Sequence, residues 1–393
     1  METITSVLNN YPSYQEKTLT NRFFKHSEIE RLIHQKNQYS VKEAGKSLEG
    51  RSIYLLKRGS GPVKVFLWSQ MHGDEPTATM ALFDLFNFLD TDDQFDGLRQ
   101  KLLTECTLYF APMINPDGAE VFTRRNAQIL DINRDYLHQQ TPEGRILRRL
   151  RDEIEPHFGF NLHDQSIRWS AGKSGNPAAI SFLSPAYDDE LSVNPTRRKA
   201  MQIIARVAAD IQPFIPGHIG RFEEEYESRA FGDNFQKGGT STILIEAGGY
   251  INDREKQFLR KIYFGSILSG LINIAGKDYE NEDVNNYYFI PENKKRHFSM
   301  ILRSCSFTKD NYSYTADIGL VAIETTTNGT NPLYLYFVED IGDLSEFYSY
   351  HEVDAKGLNL ILTKPLAIDE PADLILQNGN TTILSIENGR LSD

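Results

Sequence analysis

Two kinds of hydrophobic pattern alternate along the chain. Short, nearly continuous apolar runs predict buried strands: VFLW at Val65–Trp68, CTLYFAPM from Cys106, FGFNLHDQ from Phe158 and TSTILIEAGGY from Thr240. Between them lie longer stretches with helical character. These are ATMALFDLFNFL from Ala78, read as an amphipathic helix, PEGRILRRLRDEIEPHF from Pro142, and a helix from about Pro195 to Ile211. Upstream, SEIERLIHQKN from Ser27 is helical, with Ser27 and Glu30 at capping-box spacing. From Tyr39, three extended runs separated by the turns GKSLEG and RGSGP predict strands joined by hairpins.

Strands separated by helices indicate an α/β fold, a mixed central sheet flanked by helices. In such sheets ligands collect at the carboxyl ends of the strands. His72, the NPDG stretch, His163 and Glu246 all fall at the ends of their apolar runs, so they are expected to converge on one rim. After the helix-like KQFLRKIYFGSILSGLINIAG the character changes near Lys277. KDYENEDVNNYYF reads as a linker, and beyond it come FSMILRSCSF, GLVAIETTT, PLYLYFVED, LNLILTK, ADLILQNG and TTILSIENG. The expected organisation is an N-terminal helical segment (1–38), an α/β domain (39–276) and a small C-terminal all-β domain (285–393). A length of 393 residues suits two cores better than one.

Charge narrows the function classes. With 54 acidic against 42 basic residues the net charge is -12, which argues against nucleic acid or an anionic membrane surface as partner. No apolar stretch approaches the roughly 18–20 residues that span a bilayer. METITSVLNNYPSYQEK carries neither a basic n-region nor an apolar h-region, so a cytoplasmic location is expected. Cys106 and Cys305 both fall in strand-like runs and read as buried free thiols.

The candidate chemistry sits where strands end. Taken singly, His72 and Glu75 in HGDE make an ordinary polar loop, and His163 a hydrogen-bonded core histidine. Glu246 is stranger, because a carboxylate directly after an apolar strand is costly to bury unless it is paired, metal-bound or functional. Taken together they form a known chemical set: catalytic zinc takes three His/Glu ligands and keeps one position open, and a further carboxylate can act as base. The sequence contains no HExxH, which excludes the helical zincin arrangement.

Several segments in order carry a resemblance. GKSLEGRSI from Gly45, HGDEPTA from His72, NPDG from Asn115, RRNAQILDINRD from Arg124, NLHDQ and ILIEAGG together resemble the M14 family of zinc carboxypeptidases over about Tyr39 to Ala275. The resemblance implies Zn2+ held by His72, Glu75 and His163, with Glu246 as general base. It places Asn133 and Arg134 on the substrate's terminal carboxylate. Arg124 is implied to stabilise the oxyanion, with adjacent Arg125 as the alternative. Asp164 is open to two readings, orienting a ligating imidazole or capping a turn, and Tyr226 stays outside the site. The implied activity is hydrolysis of the C-terminal amide bond of a peptide. The alternatives are a deacylase acting on N-acyl amino acids or other small amides, and an inert binding protein on the same scaffold. The expected partner is a peptide or small amide with a free carboxylate; substrate side chain and oligomeric state are not legible.

Overall fold

The computed structural model describes residues 2–327 and 331–392. The chain opens with α1 (Glu2–Asn9) and α2 (His26–His34). α2 starts one residue before Ser27: Lys25 is its N-cap, and the Glu28 carboxylate accepts the Lys25 N–H at 2.8 Å. The three predicted strands follow as β1 (Ser40–Lys46), β2 (Ser52–Arg58) and β3 (Val63–Ser69), but only β1 and β2 form a hairpin, because a later strand inserts between β2 and β3. Then come α3 (Thr77–Asp90), α4 (Asp96–Glu105), β4 (Cys106–Ala111), α5 (Pro116–Val121), α6 (Pro142–Ile154) and β5 (Phe158–Asp164). After the two-residue β6 (Trp169–Ser170) the chain forms β7 (Ile180–Leu183), α7 (Pro195–Ile211), β8 (Ile219–Arg221), α8 (Phe231–Lys237), β9 (Ser241–Ala247) and α9 (Gln257–Gly276).

Eight strands make one mixed sheet in the order β1-β2-β4-β3-β5-β9-β7-β8. Its centre is parallel: β4, β3, β5 and β9 run side by side with their carboxyl ends at one edge. Adjacent residues of β3 serve opposite faces, as a strand's alternation requires. Val65 and Leu67 join the larger core with α3, α7 and α9, whereas Phe66 and Trp68 join the smaller one with α6 and α8. The fold class expected from the sequence is therefore the one observed. β7 and β8 were not foreseen, because strands of four and three residues in a polar stretch leave little periodicity to read.

α3 is not amphipathic. It is buried on nearly every side from Thr77 to Leu89, because the N-terminal segment covers its outer face. That burial takes in a carboxylate, Asp84, which Arg260 of α9 meets through Nε at 2.7 Å and Nη2 at 2.5 Å. Tyr11 Oη and the Glu16 N–H donate to the same carboxylate, each at 2.7 Å. A buried ion pair survives only when its remaining lone pairs are satisfied, as they are here.

The stretch read as a linker is structured. A 3-10 turn (Asp278–Asn281) and α10 (Asn285–Tyr288) bury Tyr279 and Tyr287 against the α/β core. Beyond it β10 (Lys294–Lys295) pairs with β6. β11 (His297–Lys309), β12 (Tyr312–Thr327), β13 (Asn331–Gly342) and β14 (Tyr348–Asp354) form one four-stranded sheet. β15 (Asn359–Leu362), β16 (Leu374–Asn378), β17 (Thr381–Glu387) and β18 (Arg390–Leu391) form a second. The two share a core of Leu302, Leu320 and Val338 against Leu374, Leu376 and Ile386. Cys106 and Cys305 are free and buried. Among the described residues no helix is long and apolar enough to cross a membrane.

Replacing Asp84 with Ala would strand the Arg260 guanidinium in the core. The expected loss is about 3–5 kcal/mol of stability, read from denaturant unfolding. A loss below about 1 kcal/mol would mean that the N-terminal segment does not depend on this pair.

Candidate metal centre and active site

The site begins where β3 stops. Gln70 adopts a left-handed backbone (φ 50°), uncommon for a residue other than glycine, and turns the chain out of the sheet. Its side-chain amide donates to the Gly73 carbonyl at 3.0 Å and sets the following loop. Gly73 is required by a close approach and not by a turn: a Cβ there would lie 2.0 Å from the carbonyl carbon of Gly118. HGDE and NPDG are thus packed backbone to backbone.

The NPDG turn is held in its own right. The Asn115 side chain caps α5 by accepting the Gly118 N–H at 2.9 Å, and its amide donates to the Arg124 carbonyl at 3.3 Å. Asp117 of the same motif is bound by the β1–β2 hairpin. Ser47 Oγ and Arg51 Nη1 both donate to Asp117 Oδ1 at 2.7 Å, and the Glu49 N–H donates to Oδ2 at 3.0 Å. The segments GKSLEGR, NPDG and HGDE therefore form one interlocked support.

On that support Glu75 lies between two imidazoles. His72 Nδ1 is 2.7 Å from Glu75 Oε1, and His163 Nδ1, from the end of β5, is 2.7 Å from Glu75 Oε2. All three side chains are buried, and their ligand atoms lie within 4.8 Å of one another. Among the described residues they are the one group of three or more such side chains placed to hold a metal ion. Two imidazole nitrogens and a carboxylate are the donor set of an open catalytic zinc site, so the residues fit a zinc ion. Burial would depress His72, but the Glu75 charge and a hydrogen bond to Asp131 lift it to about 9. Burial dominates at His163 and lowers it.

Asp131 was visible in the sequence only as a letter of DINRD. Its Oδ1 lies 3.1 Å from His72 Nε2 and so fixes the ring with Nδ1 facing Glu75. This is the orienting role considered for Asp164. Asp164 is occupied otherwise: Lys256 Nζ at 3.0 Å and Thr77 Oγ1 at 2.6 Å both donate to its Oδ2. Only its backbone serves the cluster, donating to Glu75 Oε2 at 3.2 Å. Asp74 is outside the cluster, and burial together with the Glu75 charge raises it to about 6.

Glu246 enters from the neighbouring strand. β5 and β9 are parallel with His163 paired to Glu246, so both residues leave the sheet at the same height. Tyr263 of α9 locks that register, accepting the His163 N–H at 3.1 Å and donating to the Ile245 carbonyl at 2.6 Å. Glu246 Oε2 is enclosed and has no hydrogen-bond partner. Burial and the negative charge of Glu75 push its carboxyl well above the usual range.

Arg124, and not Arg125, faces the cluster. Its Nη1 is 3.1 Å from both Glu75 Oε1 and His72 Nδ1, and its Nε donates to Asp131 Oδ2 at 3.2 Å. Arg125 instead donates to the Ile129 carbonyl at 3.1 Å. Arg134 pairs through Nε with Glu227 Oε2 at 3.1 Å. Asn133 Oδ1 accepts the Phe231 N–H at 3.0 Å, so its amide NH2 is the group it can offer a ligand. Tyr226 meets Lys237 at 3.2 Å and does not join the cluster.

The zinc carboxypeptidase family model (Peptidase_M14) matches residues 26–174. Over that segment the chain is similar to the family. The matched segment contains His72, Glu75, Arg124, Asn133, Arg134 and His163, and ends before Glu246. Carboxypeptidase SOL1 of Arabidopsis thaliana is 30% identical over 158 residues, covering 39% of this chain and 31% of that protein. Carboxypeptidase 2 of Trichophyton rubrum is 28% identical over 201 residues, covering 47% of this chain and 36% of that protein. The chain thus spans about a third of the length of these relatives. The crystal structure of a metallo-carboxypeptidase from Burkholderia cenocepacia superposes with a TM-score of 0.52 at 18% identity, covering 65% of this chain and 69% of that one.

If Asp131 orients His72 for a metal, Asp131→Ala should weaken zinc retention by about 10–100-fold, read by competition with a chelating dye. Unchanged affinity would reduce Asp131 to a partner of Arg124 alone.

Proposed function

We propose that this protein is a zinc-dependent carboxypeptidase that hydrolyses the last amide bond of a peptide bearing a free C-terminal carboxylate. The observation that carries the reading is Glu246. An enclosed carboxylate oxygen without a partner, one strand from His163, serves no structural need and is costly to keep. A base beside a metal site explains it.

His72, Glu75 and His163 would hold the ion, which when bound supplies a Lewis acid that polarises a carbonyl and lowers the pKa of water. The remaining work falls to the chain's own side chains. Arg134 and the Asn133 amide would receive the terminal carboxylate; the planar guanidinium can make two parallel charge-assisted hydrogen bonds to it. That contact sets the last amide bond against the cluster, and Arg124 donates to its carbonyl oxygen as negative charge develops there. Glu246 takes a proton from water as the oxygen bonds to the carbonyl carbon. It returns that proton to the amide nitrogen as the C–N bond breaks, so an amine and a carboxylic acid leave. A carboxyl whose affinity for protons is raised suits both halves of this transfer.

Glu246→Gln should abolish hydrolysis of a C-terminal amide bond, by about 10²-fold or more in kcat, while zinc stays near one per chain. Loss of the metal in this variant would make Glu246 structural. A peptide with an amidated C-terminus should be cleaved far more slowly than its free-acid counterpart. Equal rates would remove the role given to Arg134 and favour an amidohydrolase of small amides.

A further inference from the structure

The C-terminal β module does more than pack beside the catalytic part. A cleft of about 340 Å3 opens directly from the metal centre. Glu75, Arg124 and Asp164 border it on one side; Arg22, Ile323 and Glu324 border it on the other. The last two belong to β12, in the long β12–β13 hairpin of the C-terminal module. A wall of the cleft is therefore contributed by residues 77 and 78 positions beyond Glu246, outside the segment that matches the family model.

That wall is pinned. Arg22, from the N-terminal segment, is buried, and its Nη1 and Nη2 donate to the two oxygens of Glu324 at 2.8 and 2.7 Å. Such a bidentate guanidinium–carboxylate pair fixes orientation as well as distance. Further along the hairpin Thr326 Oγ1 reaches the Val121 carbonyl at the end of α5, at 3.5 Å. On the opposite flank Tyr350 of β14 donates to the Ile167 carbonyl at 2.8 Å. Between these anchors Ile323 is 50% exposed, an apolar side chain presented at a mostly charged cleft. Glu324 and Lys256 also border a smaller hollow of about 170 Å3 lined by Tyr334, Tyr336 and Tyr350. These two ion-paired side chains thus stand as a partition between the cleft and that hollow.

Asn133 and Arg134 do not border this cleft. On the carboxypeptidase reading, on which this inference rests, the terminal carboxylate lies at Arg134 and the scissile carbonyl at Arg124. The substrate residues upstream of that bond then have to enter the cleft walled by the hairpin. Its volume of about 340 Å3 is at the low end of the range that takes a drug-sized molecule. Each further residue advances the chain by about 3.3–3.6 Å through a cleft whose lining includes Ile323 and the Arg22–Glu324 pair. We propose that the β12 wall at Ile323 and Glu324, pinned by Arg22, is a length gate. It confines the enzyme to short peptides and N-acylated dipeptides or tripeptides and excludes the C-termini of folded proteins and long chains.

The test uses the zinc-loaded full chain and a series of N-acetylated peptides. All share the same last two residues and carry one, two, four or eight residues upstream of the scissile bond. The gate predicts that kcat/KM falls by about tenfold or more between two and four upstream residues. Ile323→Ala and, separately, Glu324→Ala should raise the ratio of long-peptide to short-peptide kcat/KM by about fivefold or more. A flat length series in the wild-type enzyme would overturn the gate while leaving the carboxypeptidase reading intact, and needs no variant to be informative. A length dependence unchanged in both folded variants would also overturn it, by placing the barrier elsewhere. Failure to hydrolyse any member of the series would overturn the carboxypeptidase reading, and the gate with it.

Discussion

Everything chemical in this molecule depends on the parallel register of β3, β5 and β9. Ser69 pairs with Leu162, and His163 pairs with Glu246, so the three strands end together at one rim. A shift of one residue in either pair would turn His163 or Glu246 to the other face of the sheet. The register is held by apolar packing on both faces, since Val65 and Leu67 enter one core while Phe66 and Trp68 enter the other. Tyr263 adds a polar lock at the level of the site, bonding to both strands. Parallel strands covered on both faces give little freedom to slip.

That rigidity allows a dense group of acids to be kept at the rim. Glu75, Asp131 and Asp164 are each held by cationic or donor groups: two imidazoles, Arg124, and Lys256 with Thr77. Glu246 differs in having no ion pair among the described residues, although an enclosed oxygen without a partner is also found on Asp74 and on Asp164. The N-terminal segment applies the same rule on the far side of the sheet, where Asp84 and Arg260 are enclosed together with Tyr11. Most buried charges at the rim and in the N-terminal segment are paired, and Glu246, beside His163, is not.

The sequence showed most of this because the strongest signals were continuous apolar runs ending in polar letters. β3, β5 and β9 could be read directly, and so could His72, His163 and Glu246 at their ends. Signals that depend on tertiary partners were lost. Asp131 acts through a contact 59 residues away in the chain, with nothing local to announce it. Asp164 was misjudged because Lys256 and Thr77, from α9 and α3, claim its side chain first. α3 looked amphipathic because Asp84 looks like a surface residue until Arg260 covers it. In HGDE the turn is made at Gln70, and Gly73 is needed instead for contact with Gly118, a partner 45 residues on that nothing local announces. The stretch from Lys277 looked like a linker because its buried residues are tyrosines, Tyr279 and Tyr287, scattered among acids and asparagines.

The two arginines assigned to substrate are already occupied by internal carboxylates, and this bears on how a substrate could bind. Arg134 faces Glu227, so a terminal carboxylate has to displace that partner or share it. Displacement is inexpensive here because Glu227 does not lose its only cation. Arg229 holds both of its oxygens, at 2.9 Å through Nε and 2.6 Å through Nη2. Hydrogen bonds to Arg229 lead the causes that keep the Glu227 carboxyl down at about 2, so it stays ionised with or without Arg134. Arg134 is also partly exposed, where an ion pair is worth little and is readily exchanged. Arg124 is in the same state, leaning on Glu75 and Asp131 while nearly half its side chain is exposed. Each guanidinium is thus held in place by a partner with another donor to fall back on. The site is ordered before substrate arrives without being sealed against it.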